Sequence, residues 1–144
     1  MIRQAKANDS KIVAELAILL WPNNDMDDLE REMMEYIITD SRAVFLFLSD
    51  DKQIGFAQCS LRNDYVEGTK SSPVGYLEGV FVKAEYRKSG IGKKLITQCE
   101  EWAKNKGCSE FASDCELNNT ESLKFHLRLG FEEANRIICF KKNL

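Results

Sequence analysis

The stretch from Tyr76 to Cys99 constrains the fold of this chain more than any other part of it. An apolar segment, residues 76–82, leads through the sequence RKSGIG at residues 87–92 into an amphipathic segment that begins at Lys93. This pattern predicts a buried strand, a turn with two glycines and a helix. Glycines let backbone N–H groups approach a ligand closely, and a helix N-terminus carries partial positive charge. With Arg87 and Lys88 beside the turn, the stretch is typical of a phosphate or pyrophosphate site.

Two common phosphate-binding motifs do not fit this turn. A Walker loop requires Ser or Thr after its Gly-Lys pair, but Lys94 follows Gly92-Lys93. A dinucleotide fingerprint requires a third glycine, where this chain has Leu95. The pattern that remains, [R/Q]-x-x-G-x-[G/A] after a strand, resembles the pyrophosphate-binding motif of the GNAT acetyltransferases, which bind acetyl-coenzyme A.

Composition narrows the class of protein. A length of 144 residues predicts a single domain, spanning residues 1–144. The formal net charge of -3, without a long block of Lys and Arg, argues against nucleic acid as the main partner. Five cysteines without a C-x-x-C pair, and one histidine, provide no metal-ligand spacing. A polar N-terminus and the lack of a membrane-length apolar run predict a cytoplasmic protein with no membrane partner.

Periodicity predicts the order of the elements. Strands are expected at residues 2–5, 43–48, 54–61, 76–82, 110–115 and 134–141, and helices near 9–20, 26–39, 90–105 and 118–129. The order β-α-α-β-β-β-α-β-α-β predicts an α/β fold with a central mixed sheet flanked by helices. Asn118 with Glu121 is expected to cap the last helix, and Gly130 to end it.

Two carboxylates, Glu78 and Asp114, are candidate residues of a functional site. Glu78 interrupts an apolar strand, and Gly79 beside it predicts a β-bulge or a close ligand approach. Asp114 follows a predicted strand, at a position that commonly lines pockets. A solvent-facing or ion-paired Glu78 and a capping Asp114 remain the alternatives. If both face one cleft, they form a negative site for ammonium groups and offer a base for a substrate amine.

Residues 119–131 resemble a second GNAT signature, N-x-x-[A/S]-x-x-x-Y-x-x-x-G-F. His126 stands where the signature has tyrosine, which in many members is proposed to protonate the departing thiolate. The resemblance therefore implies this role for His126, because histidine titrates near neutral pH; a packed or capping histidine is the alternative. Asn119 matches a residue that typically contacts the pantetheine arm.

Longer strings extend the resemblance. The sequences GFAQ at 55–58, RNDYVEG at 62–68, SSPV at 71–74, YLEGVFV at 76–82 and ASD at 112–114 resemble the aminoglycoside 6′-N-acetyltransferases. This resemblance implies drug contacts from Trp21, Tyr65, Glu78 and Asp114, with Asn135 where some relatives have an acidic contact. Without the resemblance, a core or helix-end position would be the better interpretation of Trp21. Tyr65 would be interpreted equally well as a surface residue or as a ligand contact. The residues expected to bind acetyl-coenzyme A are Val80, Phe81, Val82, Arg87, Lys88, Ser89, Gly90, Ile91, Gly92, Lys93 and Asn119.

The resemblance thus implies an acetyltransferase that modifies the 6′-amine of aminoglycosides by direct attack in a ternary complex, and so causes antibiotic resistance. Backbone amides near Val80 are expected to polarise the thioester carbonyl. The alternatives are acetylation of a polyamine or a peptide amine, and a non-catalytic acyl-coenzyme A-binding module. The resemblance also implies a homodimer, with Ile137, Ile138 and Phe140 available to its interface.

Overall fold

The computed structural model describes residues 1–144 and contains one five-stranded sheet in the order β1-β2-β3-β4-β5. Neighbouring strands are antiparallel except β4 and β5, which are parallel. The strands are β1 (Ile2–Gln4), β2 (Arg42–Ser49), β3 (Lys52–Arg62), β4 (Val74–Val82) and β5 (Phe111–Ala112). The α-helices are α1 (Ser10–Leu20), α2 (Met26–Ile38), α3 (Ile91–Asn105) and α4 (Thr120–Arg128). The predicted α/β fold with a mixed sheet is confirmed.

The sheet is buried on both faces because its central strands are apolar at successive positions. On β2, Ala43 and Phe45 pack with the apolar stripe of α3, whereas Val44 and Leu46 pack with α1 and α2 on the opposite face. Such alternation is the direct result of the two-residue period of a strand. Helices α1 and α2 therefore cover one face and α3 covers the other.

The local signals for turns and helix ends are present in the structure. Asp25 caps α2, its side chain accepting from the Asp28 backbone N–H at 3.0 Å. Asp50 and Asp51 both have positive φ, which suits a two-residue hairpin between β2 and β3. Gly107 and Gly130, with φ of +91° and +89°, end α3 and α4, the latter as predicted.

The bulge predicted at Glu78 and Gly79 is confirmed. Gln58 of β3 pairs with Gly79, but the next residue, Cys59, pairs with Leu77. Glu78 is therefore the extra residue of β4, and its side chain leaves the regular alternation of the strand.

Three expectations were wrong in detail. The strand expected at 110–115 spans only Phe111–Ala112, and α4 is capped by Asn119 rather than by Asn118. The segment 134–141 is not a strand, since residues 131–144 have no regular secondary structure. An apolar segment forms a strand only where a neighbouring strand pairs with its backbone groups, and no strand of this chain pairs with residues 134–141. No helix combines the length and apolar character needed to cross a membrane.

Candidate active site

A polar trough lies between α2 and the bulged part of β4. It comprises a cavity of about 500 Å³ and a smaller one of about 330 Å³, which share the side chains of Glu32, Met33, Gln58 and Glu78. The larger cavity extends along α2 to Tyr36 and along β3 to Ser60 and Arg62; the smaller one reaches Trp21 and Asn24. Because the bulge re-aims Glu78, this carboxylate lines both parts of the trough.

Glu78 is held by two donors from β3. Ser60 Oγ donates to Glu78 Oε1 at 2.7 Å, and Arg62 Nη2 donates to both carboxylate oxygens at 3.0 and 3.1 Å. Hydrogen bonds of this kind fix the orientation of the carboxylate. Glu78 therefore provides a fixed negative charge in the trough.

The other carboxylate, Asp114, is connected to Glu78 through two intervening side chains. The Arg62 guanidinium lies 3.4 Å from the centroid of the Tyr76 ring, and Tyr76 Oη donates to Asp114 Oδ2. Burial, followed by this hydrogen bond to Asp114, raises the pKa of Tyr76. Tyr76 thus remains a protonated donor, and Glu78 and Asp114 belong to one hydrogen-bonded and stacked group.

Trp21 reaches the trough because β4 has a glycine at its bulge. A Cβ atom on Gly79 would lie 2.8 Å from Trp21 Cη2, which is closer than side-chain atoms normally approach. The indole also meets the Phe56 ring edge-on, with the centroids 6.2 Å apart. Trp21 is thus a half-buried residue that both packs on the core and lines the trough.

Two buried polar atoms of the trough have no hydrogen-bond partner in the protein. They are Tyr36 Oη and Gln58 Oε1, in residues that are 8% and 7% exposed. Burial, followed by the negative charge of Glu78, raises the pKa of Tyr36, so its phenol stays protonated. An unpaired buried polar atom costs about 1–3 kcal/mol. Neither residue was predicted from the sequence, although the position of Gln58 within the apolar run 54–61 is a signal that could have indicated it.

The turn before α3 has the geometry expected of a pyrophosphate site. Lys88 and Gly90 both lie in the left-handed region, with φ of +63° and +79°, and Gly90 is the N-cap of α3. A Cβ on Gly90 would meet no atom within 4 Å, so the backbone there is open to a ligand. The first N–H groups of a helix have no intrahelical acceptor and bind anions readily. The turn therefore fits the diphosphate of coenzyme A.

Other residues of the expected coenzyme A site support the turn. Arg87 Nε donates to Val82 O at 2.8 Å, and Ser89 Oγ donates to Tyr86 O, so both side chains brace the loop. A Cβ on Gly92 would lie 3.0 Å from Phe125 Cζ, which shows that this glycine allows α3 to pack against α4. No three His, Cys, Asp or Glu side chains cluster in a way that could hold a metal ion.

His126 has hydrogen-bond partners at both ring nitrogens. Nδ1 lies 2.7 Å from the Ser122 carbonyl oxygen, which can only accept, so Nδ1 carries a proton. Nε2 lies 2.8 Å from Ser113 Oγ, and the ring meets Phe131 edge-on at 5.2 Å between centroids. Asn119 caps the same helix, with Oδ1 accepting from the Ser122 N–H at 3.1 Å. His126 therefore connects α4 to the segment that follows β5.

The structure brings some of the predicted residues together and leaves others apart. Trp21 and Glu78 line the trough, and Asp114 is joined to Glu78 as described above. Tyr65 is 75% exposed on the loop between β3 and β4 and does not line the trough. Asn135 is exposed as well, and its Nδ2 donates to Glu67 Oε2 at 3.1 Å.

Comparison with known proteins places this architecture in a family. Residues 11–131 match the model of the acetyltransferase (GNAT) family. The chain is 45% identical over 131 residues to an aminoglycoside N(6′)-acetyltransferase type 1 of Acinetobacter baumannii, covering 90% of this chain and 88% of that protein. It is 40% identical over 144 residues to the enzyme of the same name from Stenotrophomonas maltophilia, covering 99% of this chain and 93% of the relative.

A solved structure of a related enzyme has the same fold as this chain over its whole length. The structure of AAC(6′)-Iy in complex with the bisubstrate analogue CoA-S-monomethyl-acetylneamine has a TM-score of 0.96 and 41% identity, covering 100% of this chain and 98% of the other. The fold, the cofactor turn and this similarity agree with one another. The chain belongs to the GNAT acetyltransferase family, within the group of the aminoglycoside 6′-N-acetyltransferases.

Proposed function

We propose that this protein transfers the acetyl group of acetyl-coenzyme A to the 6′-amine of an aminoglycoside and so inactivates the antibiotic. The observation that carries the proposal is the position of Glu78, which the bulge of β4 aims into a trough beside the strand that continues to Val82. The chain matches these relatives over most of their length, and their names support the same substrate class.

The reaction proceeds by direct attack and requires no covalent intermediate with the protein. The neutral amine attacks the thioester carbonyl carbon, the new C–N bond forms, and the C–S bond breaks as the electron pair leaves with sulfur. Backbone amides near Val80 stabilise the negative charge that develops on the carbonyl oxygen. Alignment of the two substrates in one ternary complex supplies much of the rate, because a bound amine is a competent nucleophile.

Two proton transfers accompany the attack. Glu78, or Asp114, accepts the amine proton directly or through water. His126 returns a proton from Nε2 to the departing thiolate. The sulfur then takes the place of Ser113 Oγ at this nitrogen, because Nδ1 is bonded to the Ser122 carbonyl oxygen. Trp21 completes the drug site within the trough. Tyr65 and Asn135 lie outside the trough and remain drug contacts implied by the family resemblance alone. The turn residues 87–93, with Asn119 and Val80–Val82, hold acetyl-coenzyme A.

We further propose a cytoplasmic homodimer. Ile137, Ile138 and Phe140 are 61%, 80% and 89% exposed in the single chain, in a segment without backbone pairing. Large apolar side chains grouped in this way favour an interface over exposure to water. A second copy of the chain is the partner that would cover them.

Thiol release from acetyl-coenzyme A tests the activity. Two aminoglycosides with similar rings, one with a 6′-amine and one with a 6′-hydroxyl, are compared with spermidine and a peptide. Turnover of the 6′-amine drug alone is the expected result. Turnover of only spermidine or the peptide would retain the acetyltransferase and reject the drug, and binding of acetyl-coenzyme A without any turnover would favour a binding module.

A further inference from the structure

Ser113 carries a hydroxyl group that the proposed transfer to the drug does not use. Its Oγ lies 2.8 Å from His126 Nε2, and His126 Nδ1 lies 2.7 Å from the Ser122 carbonyl oxygen. Because that carbonyl can only accept, the proton of the neutral ring is on Nδ1, and the lone pair of Nε2 faces the Ser113 hydroxyl. A hydroxyl bonded to a histidine whose other nitrogen is oriented by a third group is the arrangement that activates a serine nucleophile.

The segment that carries Ser113 is fixed by its neighbours in the chain. It follows β5 directly, and the next residue, Asp114, accepts a hydrogen bond from Tyr76 Oη of β4. Ser113 and His126 are both half-buried, so neither is sealed within the core. The hydroxyl and its base are therefore oriented toward each other before any ligand binds.

The same segment borders an open edge of β4. β5 pairs with β4 only through Phe111 and Ala112, whereas β4 continues to Val82. Beyond Tyr76, β4 therefore has no strand on its β5 side, and backbone groups on that edge are left for a ligand. The proposed function has the thioester bind along this edge, beside Val80.

The role proposed for His126 brings the acetyl group to Ser113, and the inference rests on that part of the proposed function. A sulfur that receives its proton from Nε2 lies next to Ser113 Oγ, because both atoms neighbour the same nitrogen. The carbonyl carbon is bonded to that sulfur, so the hydroxyl and the carbon become near neighbours. A bound drug amine attacks the carbon directly. We infer that, without a bound amine, Ser113 takes the acetyl group and the protein hydrolyses acetyl-coenzyme A to acetate and coenzyme A.

The hydrolysis balances in two steps, with water as the only other reactant. In the first, Ser113 Oγ attacks the carbonyl carbon and gives its proton to His126 Nε2. The C–S bond breaks, the electron pair leaves with sulfur, and Nε2 passes the proton to the thiolate. In the second, water attacks the carbonyl carbon of acetyl-Ser113 with Nε2 as base, the C–Oγ bond breaks, and the proton returns to Oγ.

The second step is the slower one, because an alkoxide is a poorer leaving group than a thiolate. Acetyl-Ser113 should therefore accumulate, and the first turnover should release coenzyme A in a burst.

Acetate formation from acetyl-coenzyme A without any amine is the measurement, and drug acetylation by the same preparation is the reference. Ser113→Ala removes the nucleophile, so we expect the ratio of acetate formation to drug acetylation to fall about 100-fold. The ratio cancels any difference in the fraction of folded protein. Ser109→Ala, which changes an exposed serine shortly before β5, should leave the ratio unchanged.

Mass spectrometry of the acid-quenched wild type tests the intermediate directly. After mixing with acetyl-coenzyme A in the absence of amine, fragmentation of the peptide that contains Ser113 should place one added acetyl group on this residue. The same peptide from Ser113→Ala should be unmodified. If that variant does not fold, the label on the wild type decides alone.

The outcomes separate this inference from the proposed function. A wild type that acetylates the drug but forms no acetate, or in which Ser113 is unlabelled, would overturn the inference alone. An unchanged ratio in Ser113→Ala would mean that water attacks directly or that the serine only supports the fold, and would also overturn it. Acetate formation through a labelled Ser113, by a protein that acetylates no amine, would reject the drug as substrate and retain the inference.

Discussion

Arg62 donates to both carboxylate oxygens of Glu78 while its guanidinium covers the ring of Tyr76. The negative charge in the trough is thus partly balanced from within the protein before a substrate arrives. A polycationic drug that binds in the trough as proposed would meet a carboxylate that is already oriented, so little reorganisation would be needed.

Glu78→Gln should reduce kcat/KM for the 6′-amine drug by about 100-fold, because it removes a base and a negative charge together. The binding of acetyl-coenzyme A should be unchanged, since the hydrogen-bond partners of Glu78 are Ser60 and Arg62 of β3 rather than residues of the α3 turn. Steady-state kinetics with both substrates varied provide the measurement, and Glu15→Gln, an exposed carboxylate of α1, is the control. Unchanged turnover would remove Glu78 from the mechanism.

Gly90→Val should weaken acetyl-coenzyme A binding by at least 10-fold, because a β-branched residue strains the left-handed N-cap and its side chain occupies the space open to the ligand. Gly107→Val is a matched control at the other end of α3, also with positive φ and open space. Both variants should lose about 1–2 kcal/mol of unfolding free energy. Calorimetric titration with coenzyme A measures the affinity. Normal affinity in Gly90→Val would contradict the role of this turn in binding the pyrophosphate.

Gly79→Ala should displace the Trp21 indole and cost about 1–3 kcal/mol of unfolding free energy through overpacking. Drug KM should rise as well, because Trp21 lines the trough. In a Trp21→Ala background the same change should cost little, since the contact no longer exists. A double-mutant cycle by urea unfolding measures the coupling, and additive effects would show that the two residues do not constrain each other.

Asp9→Asn should destabilise the fold by about 2 kcal/mol at pH 7. Arg3 donates to the two carboxylate oxygens of Asp9 at 2.7 and 2.8 Å, and this hydrogen bonding holds the pKa of Asp9 below its ordinary value. A lowered folded-state pKa stabilises the protein above the unfolded pKa, near 4, and the benefit is lost as the pH falls through the folded value. Urea unfolding should therefore show the gap between wild type and variant closing below about pH 4; a constant gap would contradict this.

Ile138→Asp combined with Phe140→Asp should convert a dimer to a monomer, because two charges would have to be buried at the proposed interface. Light scattering across a range of protein concentrations measures the mass. Leu127→Asp, which changes an exposed apolar residue of α4, is the control for surface charge. A wild-type protein that remains monomeric at every concentration would reject the dimer.

The sequence alone determined the helices, the turns between them and the glycine turn before α3. These features depend on residues near one another in the chain: the apolar period of α3, the positive-φ glycines 90, 107 and 130, and the bulge at Glu78 and Gly79. Local backbone preference and side-chain period are sufficient to predict them.

Only the tertiary structure decided which side chains meet. Arg62 and Tyr76 join Glu78 to Asp114 across residues separated by up to 52 positions, and no period in the sequence encodes such a contact. The segment 134–141 has the composition of a strand, yet it remains unpaired because a strand forms only beside a neighbour that bonds to it. The unpaired acceptor of Gln58 is likewise a property of its surroundings, since burial and pairing are set by residues from α2, β3 and β4 together.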